Sequence, residues 1–463
     1  MDTRPQQPAN YDLEVDVLVI GGGMSGLTAA AHAASEGAEV LVVEKAAETG
    51  GSAALALGFF WTAKTTADLL NENHGTDPAL AELLISRFDD ALDWIRTSGA
   101  EVRDRMDLET VMGFPTHGHL FDNLGYLARC ARTVAAKGGH IIPESVVDSL
   151  ILHDGAVDGA MISDSESTFS VRASSTVLAT GGIQGSPSLR NRYVCDNGDR
   201  ILLRANPAST GDGLALALSA GASTSRHMDG FYGHLVPSPL VDGLDPADYA
   251  KLSMMFSPRC MLVDPSGKRW MDESRGYFVN AQEVARLPEQ RALLIGDQQI
   301  RDDDGLSFGN SEQSDRIDTA VARGARVAVE ASLEELADAV RQWGYDISPE
   351  VVAEFNSLVG TDRDASPGEP PHRRFRGALQ KPPYFAVEVQ PTITFSHGGI
   401  GVDTRCRVLR PDGTPIPGLL AAGVDTGGMF HGGYAGGLAM STVTGLTAAR
   451  TALRGLSPEP AQD

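Results

Sequence analysis

Asp16-Val17-Leu18-Val19-Ile20-Gly21-Gly22-Gly23-Met24-Ser25-Gly26, together with the residues that follow through Lys45, dictates how the rest of the chain is arranged. Asp16 to Ile20 is a short apolar run of the kind that forms a buried parallel strand. Leu27 to Ser35 is Ala-rich and helical by propensity, and Val40 to Val43 is a second β-branched run. Between strand and helix, Gly21, Gly23 and Gly26 spell Gly-x-Gly-x-x-Gly. The first glycine permits the tight turn, the second lets a pyrophosphate approach bare backbone, and the third lets helix and strand pack closely. The helix N-terminus, with Met24 and Ser25 in its first turn, offers the anion its N–H groups and its dipole. Glu44 ends the second strand 18 positions after Gly26, placed to accept both hydroxyls of an adenosine ribose. Its charge repels a 2′-phosphate, which argues against NADP.

Composition narrows the partners. The 463 residues are enough for two or three domains, or for one large domain with an insertion. Lys+Arg 38 against Asp+Glu 61 gives a net charge of −23, a surface that repels nucleic acid and anionic membranes. The start, MDTRPQQPANYDLEVD, lacks the apolar core of a secretory signal. Ala53 to Trp61, the most apolar early run, is far short of a membrane span. Cys130, Cys195, Cys260 and Cys406 are widely separated and form no CxxC, which fits reduced thiols and a cytoplasmic location. His117 and His119 have the spacing of a metal pair, but no carboxylate–histidine cluster accompanies them, and no metal site is expected.

Further along, Gly50-Gly51-Ser52 forms a turn directly after the ribose acid. A nicotinamide domain does not need it; a longer dinucleotide does. Asp77-Pro78 opens a helix as N-cap and first residue, and a second helix runs from about Asn123 to Lys137. His140 to Asp164 reads as alternating strands turning at Asp154-Gly155. Thr176 to Gly182 is another buried strand meeting a glycine pair, and Thr210-Gly211-Asp212-Gly213 leads into an Ala/Leu helix. From about Ser225 to Phe385 the texture changes: fewer glycine turns, charged helices at Ser332–Gly344 and Ser348–Leu358, and a Pro-rich linker at Ser366–Pro371. The Gly-rich α/β texture then returns. The expected fold is α/β, a Rossmann-like FAD-binding domain with an inserted α+β cap (substrate) domain. Its expected boundaries are 1–225 for the first part of the FAD domain, 226–385 for the cap and 386–463 for the second part. One dinucleotide held by both ends of the chain suits FAD better than NAD.

With these segments in view, the chain resembles the flavoprotein family of soluble fumarate reductase, succinate dehydrogenase flavoprotein subunits and 3-ketosteroid Δ1-dehydrogenase. The likeness covers nearly the whole length. It is carried by Gly21–Lys45, Gly50-Gly51-Ser52, Ala179-Thr180-Gly181-Gly182, Thr210–Gly213, His397-Gly398-Gly399, Pro417–Gly423 and the glycine cluster Gly427–Gly437. The resemblance implies non-covalent FAD, since no histidine occurs between Gly50 and Asn73 where tethered members carry one. The residues it places around the cofactor are Gly21, Gly23, Met24, Ser25, Gly26, Glu44, Lys45, Gly50, Gly51, Ser52, Thr180, Gly181, Asp212, Gly423, Asp425, Gly437 and Leu438. It also implies a cap segment that sets the chemistry, here Gly267-Lys268-Arg269-Trp270-Met271-Asp272-Glu273-Ser274-Arg275-Gly276-Tyr277. Fumarate reductases have an arginine proton donor in the register where this chain has Tyr277; the ketosteroid enzymes have a tyrosine base. Arg275 lies two residues earlier, and a slip of the chain restores an arginine. In the C-terminal cluster the substrate-clamping arginine of fumarate reductases is absent, and Tyr434 matches the ketosteroid type. His234, in Met228–His234, resembles instead the carboxylate-binding histidine of fumarate reductases.

The resemblance therefore implies α,β-desaturation of a small-molecule carbonyl compound, like that of 3-ketosteroid Δ1-dehydrogenase. FAD N5 takes the β hydride, Tyr277 the α proton, and Tyr434 with a glycine N–H steadies the enolate. A tyrosine serves as base only if its pKa falls from about 10, and burial alone moves it the other way. Tyr277 then needs help from Arg275, a helix N-terminus or another hydroxyl. Two alternatives stand beside this: reduction of an activated alkene in an unsaturated acid, using His234 and Arg275, and a non-catalytic electron-transfer subunit. The electron acceptor or donor is external: oxygen, a quinone or a protein.

Overall fold

Leu13–Ile20 lies within an array of strands that is parallel except at its Arg407–Leu409 edge and its hairpin at 146–163, in the computed structural model of the chain, which describes residues 10–240, 242–304, 315–358 and 377–456. The linker expected at 366–371 lies outside those residues. Neighbour by neighbour, the array runs Arg407–Leu409, Pro415–Ala421, Thr168–Leu178, Leu13–Ile20, Val40–Val43, His140–Ile142. Val17 pairs with Val40 on one side and Ser175 on the other, and Ala421 pairs with Leu178, all in parallel register. A strand from the C-terminal quarter is thereby hydrogen-bonded into a sheet begun at the N-terminus. Val146–His153 and Ala156–Ser163 form the expected hairpin and extend the sheet antiparallel from Thr168–Leu178. Val17, Val19, Val40, Val42 and Val43 are all buried, as β-branched residues are when both faces of a parallel sheet are covered.

The helix Met24–Ser35 covers this sheet and is buried along all but its last residue, which its run of alanines permits. Against it packs the helix Gly437–Leu456, where a Cβ on Gly445 would sit 2.5 Å from the Ser25 carbonyl oxygen. Pro78–Thr97 begins as expected, with the Asp77 side chain accepting the N–H groups of Ala79 and Leu80. Asn123–Ala136 is the second expected helix.

The described chain divides into two compact units, 1–194 with 205–231 and 395–463, and 195–204 with 232–394. The second is built on one long strand, Tyr384–Ile393. Leu202–Leu203 joins it in parallel, and Leu235–Pro237, Ala292–Asp297 and Val327–Glu330 join it antiparallel. Buried on this strand, Glu388 accepts hydrogen bonds from Arg291 and Arg326. The helix Tyr277–Ala285 is buried at every residue but Glu283, and Leu333–Arg341 and Pro349–Ser357 are the charged outer helices.

Candidate active site

In the first unit the three fingerprint glycines have three different surroundings. Gly21 has φ +108°, and a Cβ there would lie 2.2 Å from the Ala179 oxygen. A Cβ on Gly26 would come within 1.9 Å of the Gly21 oxygen, so helix and strand touch backbone to backbone. A Cβ on Gly23 would meet nothing within 4 Å. Gly23 also caps Met24–Ser35 with no side-chain acceptor, and the first turn holds no acid. The N–H groups of this buried helix start therefore face an open cradle, which fits a pyrophosphate. Gly50 leans on the same loop, donating its N–H to the Gly22 oxygen at 2.8 Å, and Ser52 accepts the Asn206 N–H.

Several polar side chains expected at the cofactor are already engaged with the protein. Glu44, 7% exposed, accepts the Gly22 N–H at 2.7 Å through one oxygen and the Ala46 N–H at 2.8 Å through the other. Each oxygen keeps a lone pair for a ribose hydroxyl. The Lys45 ammonium bridges Asp212 and Thr210. Buried Asp425 accepts the N–H groups of Thr180 and Gly182 and the Thr180 hydroxyl, clasping the glycine turn after Thr168–Leu178. Burial raises the Asp425 pKa, and these hydrogen bonds oppose the rise. Gly423 (φ +68°) donates its N–H to the Thr444 hydroxyl, and Gly181, between the two clasped residues Thr180 and Gly182, turns at φ +93°. These residues shape the cradle through backbone, so their sequence signal is a turn signal.

Tyr434 is buried among Trp61, Phe395 and Phe430, and its hydroxyl accepts the Gly437 N–H at 2.8 Å where the last helix begins, with Leu438 next in line. His397 lies in the same unit, with both ring nitrogens buried and unpartnered. Burial, with help from the nearby His431, pulls its pKa down to about 3. His119 Nδ1 lies 2.8 Å from the Arg103 carbonyl oxygen. A group not apparent in the sequence is His227, Asp229 and His431, whose donor atoms lie within 4.8 Å of one another. The rings of His227 and His431 stack at 4.2 Å and 20°. Their in-plane lone pairs thus run side by side, and an ion about 2 Å from both nitrogens requires one ring to turn.

In the second unit Tyr277 opens its helix behind Gly276 (φ +132°). The turn before it is fixed by a buried ion pair, Arg269 gripping Glu273 with Nε and Nη2, and by the Asp272 carboxylate capping Ser274. The Tyr277 ring stacks on His234, centroids 4.8 Å apart at 23°. The Tyr232 hydroxyl lies 2.9 Å from His234 Nε2 and also hydrogen-bonds the Tyr277 side chain. Burial, aided by the charges of Arg204 and Arg316, holds the His234 pKa well below its ordinary value, so the ring is neutral. Burial raises Tyr232, opposed by Arg204 and by the Tyr277 bond. Arg275, two residues before Tyr277, is exposed. Tyr232 and His234 alternate along one chain segment and so share a face. That spacing could have linked them in the sequence; nothing there links either to Tyr277 or to Arg204.

Comparison with known proteins agrees with this construction. The family described as FAD binding domain matches residues 16–438. The chain is similar to "Fumarate reductase (cytochrome)" of Shewanella frigidimarina, 26% identical and covering 93% of this chain and 75% of that protein. It is also similar to 4-oxocyclohex-2-ene-1-carboxylate 5-dehydrogenase of Sinomonas cyclohexanicum, 24% identical over 92% of this chain and 91% of that protein. Among solved structures, 3-ketosteroid-Δ4-(5α)-dehydrogenase from Rhodococcus jostii RHA1 shares the fold, with TM-score 0.76, 20% identity, and coverage of 97% of this chain and 99% of that chain.

Proposed function

The chain belongs to the FAD binding domain family, and from that premise we propose that it removes two hydrogens from adjacent carbons beside a carbonyl, with Tyr277 as the base. At the coarser level it is a FAD-dependent oxidoreductase acting on CH–CH bonds of unsaturated compounds and their saturated partners. Bound FAD supplies the hydride acceptor.

The observation that carries the reading is the hydroxyl chain ending on Tyr277. At rest the Tyr277 bond lowers the Tyr232 pKa, so the Tyr277 hydroxyl is the donor; once Tyr277 gives up its proton, a His234 protonated on Nε2 can hold the Tyr232 oxygen and leave the Tyr232 hydroxyl to donate to the Tyr277 phenolate. Donation to the phenolate favours the ionised form, and the start of a nine-residue helix adds a favourable dipole. Tyr277 thereby gains the second hydroxyl and the helix N-terminus that a basic phenol needs. In the other unit, the Tyr434 hydroxyl is polarised by accepting the Gly437 N–H, which suits donation to a carbonyl oxygen.

A second reading runs the reaction backwards, Tyr277 protonating the α carbon of an unsaturated acid. It is favoured by the relatives, which include a urocanate reductase 23% identical over 91% of this chain. The relative named for an oxocyclohexene carboxylate supports a substrate that carries both a ketone and an acid. The electron partner is an external one, oxygen, a quinone or a protein. The four widely spaced cysteines, with no CxxC among them, support a reducing, cytoplasmic setting.

Anaerobic mixing separates the directions: bleaching of the flavin by saturated ketones supports desaturation, and recolouring of reduced flavin by enoates supports reduction. Tyr277→Phe is expected to lose turnover by about 10²–10⁴-fold with the flavin fully bound. Wild-type turnover in that variant removes Tyr277 from the chemistry.

A further inference from the structure

Arg204 stands out among the arginines of the second unit. Arg269, Arg291, Arg301 and Arg323 each grip a carboxylate, on Glu273, Glu388, Asp315 and Asp248. Among the described residues, none lies in ion-pair range of Arg204, in a chain where acids outnumber bases 61 to 38. Its guanidinium donates from Nη1 to the Thr394 hydroxyl at 3.2 Å and reaches the Tyr249 carbonyl from Nη2 at 3.5 Å. The Tyr249 ring lies under it, 5.0 Å from Cζ to centroid. Nε is buried and has no partner. Of five N–H donors, the Nε–Nη2 edge is thus nearly unused, and that edge matches the two oxygens of a carboxylate.

Strand pairing puts Arg204 in the row of the hydroxyl chain, and its charge acts on Tyr232 and His234. Leu202 and Leu203 pair with Thr392 and Ile393, and the Arg204 N–H continues the ladder to the Ile393 oxygen. From the other side, the Thr394 N–H reaches the Tyr232 oxygen and the Thr392 N–H the His234 oxygen. Arg204 and Tyr232 therefore flank Thr394 in one row across three chain segments. Arg204 Nη1 on the Thr394 hydroxyl shows the guanidinium lying along that row.

We infer that Arg204 binds a carboxylate of the substrate, so that the compound acted on carries an acid group besides the carbonyl that activates its C–H bond. This rests on the desaturase reading for the carbonyl; the acid group rests on Arg204 itself. A neutral steroid ketone leaves the fork empty and the buried Nε without an acceptor. A keto acid, or an enoate in the reverse direction, fills it. The other use of Arg204, a cation–π clamp on Tyr249, needs the charge and not the fork.

The test uses the 463-residue, FAD-loaded protein and calorimetric binding of 3-oxocyclohexane-1-carboxylate and its carboxamide. The wild type is expected to bind the acid at least 30-fold more tightly. Arg204→Gln is expected to lose that preference while binding the amide within threefold of wild type. Arg204→Lys, which keeps the charge and the contact with Tyr249, is expected to retain a part of it. Equal binding of acid and amide by the wild type, no binding of the acid, or equal weakening of both ligands in Arg204→Gln overturns the assignment. A protein that shows the acid preference yet desaturates no ketone keeps the carboxylate site and loses only the desaturase reading.

Discussion

The ring of His234 lies nearly parallel to that of Tyr277, 4.8 Å away at 23°, while its Nε2 meets the hydroxyl of Tyr232. One neutral imidazole thus fixes the plane of the phenol and the position of its hydrogen-bond partner. Tyr232→Phe keeps the ring and deletes the link. The Tyr277 phenolate then lacks the hydroxyl that could donate to it, and turnover is expected to fall about tenfold with the flavin fully bound. Unchanged turnover takes Tyr232 out of the proton path.

Gly23 and Gly26 should answer the same substitution in opposite ways. Gly26→Ala drives a methyl against the Gly21 oxygen and forces helix from strand, at a cost of about 1–3 kcal/mol. Gly23 sits at φ −81° with open space around it, so Gly23→Ala is compatible with the folded backbone. It stiffens the unfolded chain, worth about 0.4–1 kcal/mol in the flavin-free protein, and fills the cradle. The expected result is a lower melting temperature for the first, and for the second an intact one with weakened FAD affinity, read from the visible absorbance per protein.

Buried histidines should make the protein acid-sensitive. Burial is the leading cause that pulls down the pKa values of His397, to about 3, His117, to about 4, and, with no value attached, His32 and His234. The unfolded chain takes up these protons near pH 6.5 and the native protein does not, so the unfolded state binds more protons in between. Stability is therefore full above about pH 6.5 and falls as pH drops, by at most about 1.4 kcal/mol per pH unit for His397, whose low value carries the fall towards pH 3. Urea unfolding at pH 7.5 and 5.0 should show the drop, and His397→Gln should make it shallower. A midpoint that does not change between the two pH values contradicts the buried neutral rings.

Glu273→Gln tests the support beneath Tyr277. The pair with Arg269 is 0% and 6% exposed on its two side chains, and Glu273 also accepts the Leu262 N–H. Removing the carboxylate leaves a guanidinium buried without its anion, a loss of about 3–5 kcal/mol. Replacing both partners with apolar residues of similar size should cost less than the single change, as denaturant titration of the two variants will show.

The strand, the three glycines, the helix and Glu44 were readable because each is set within about thirty residues by periodicity and turn chemistry. The same holds for Asp77 capping its helix and for the hairpin turning at Asp154-Gly155. What could not be read depends on strand register between distant segments. Arg204 meets Thr394 across 190 positions, and Asp425 clasps Thr180 across 245. Asp425 was visible as a residue near glycines; that its carboxylate faces inward was not. The stack of His227 on His431 follows the same rule, since nothing local joins residues so far apart in the chain.

The ten residues 195–204 that leave the first unit to supply Leu202–Leu203 and Arg204 to the second carry a practical lesson for protein engineering. The polypeptide passes from one body to the other four times, at 194/195, 204/205, 231/232 and 394/395. Grafting a relative's specificity onto this scaffold by exchanging 232–394 alone would bring in a foreign sheet while retaining the native edge strand and its guanidinium. Chimeras must be spliced at both places, or selectivity will stay with the scaffold.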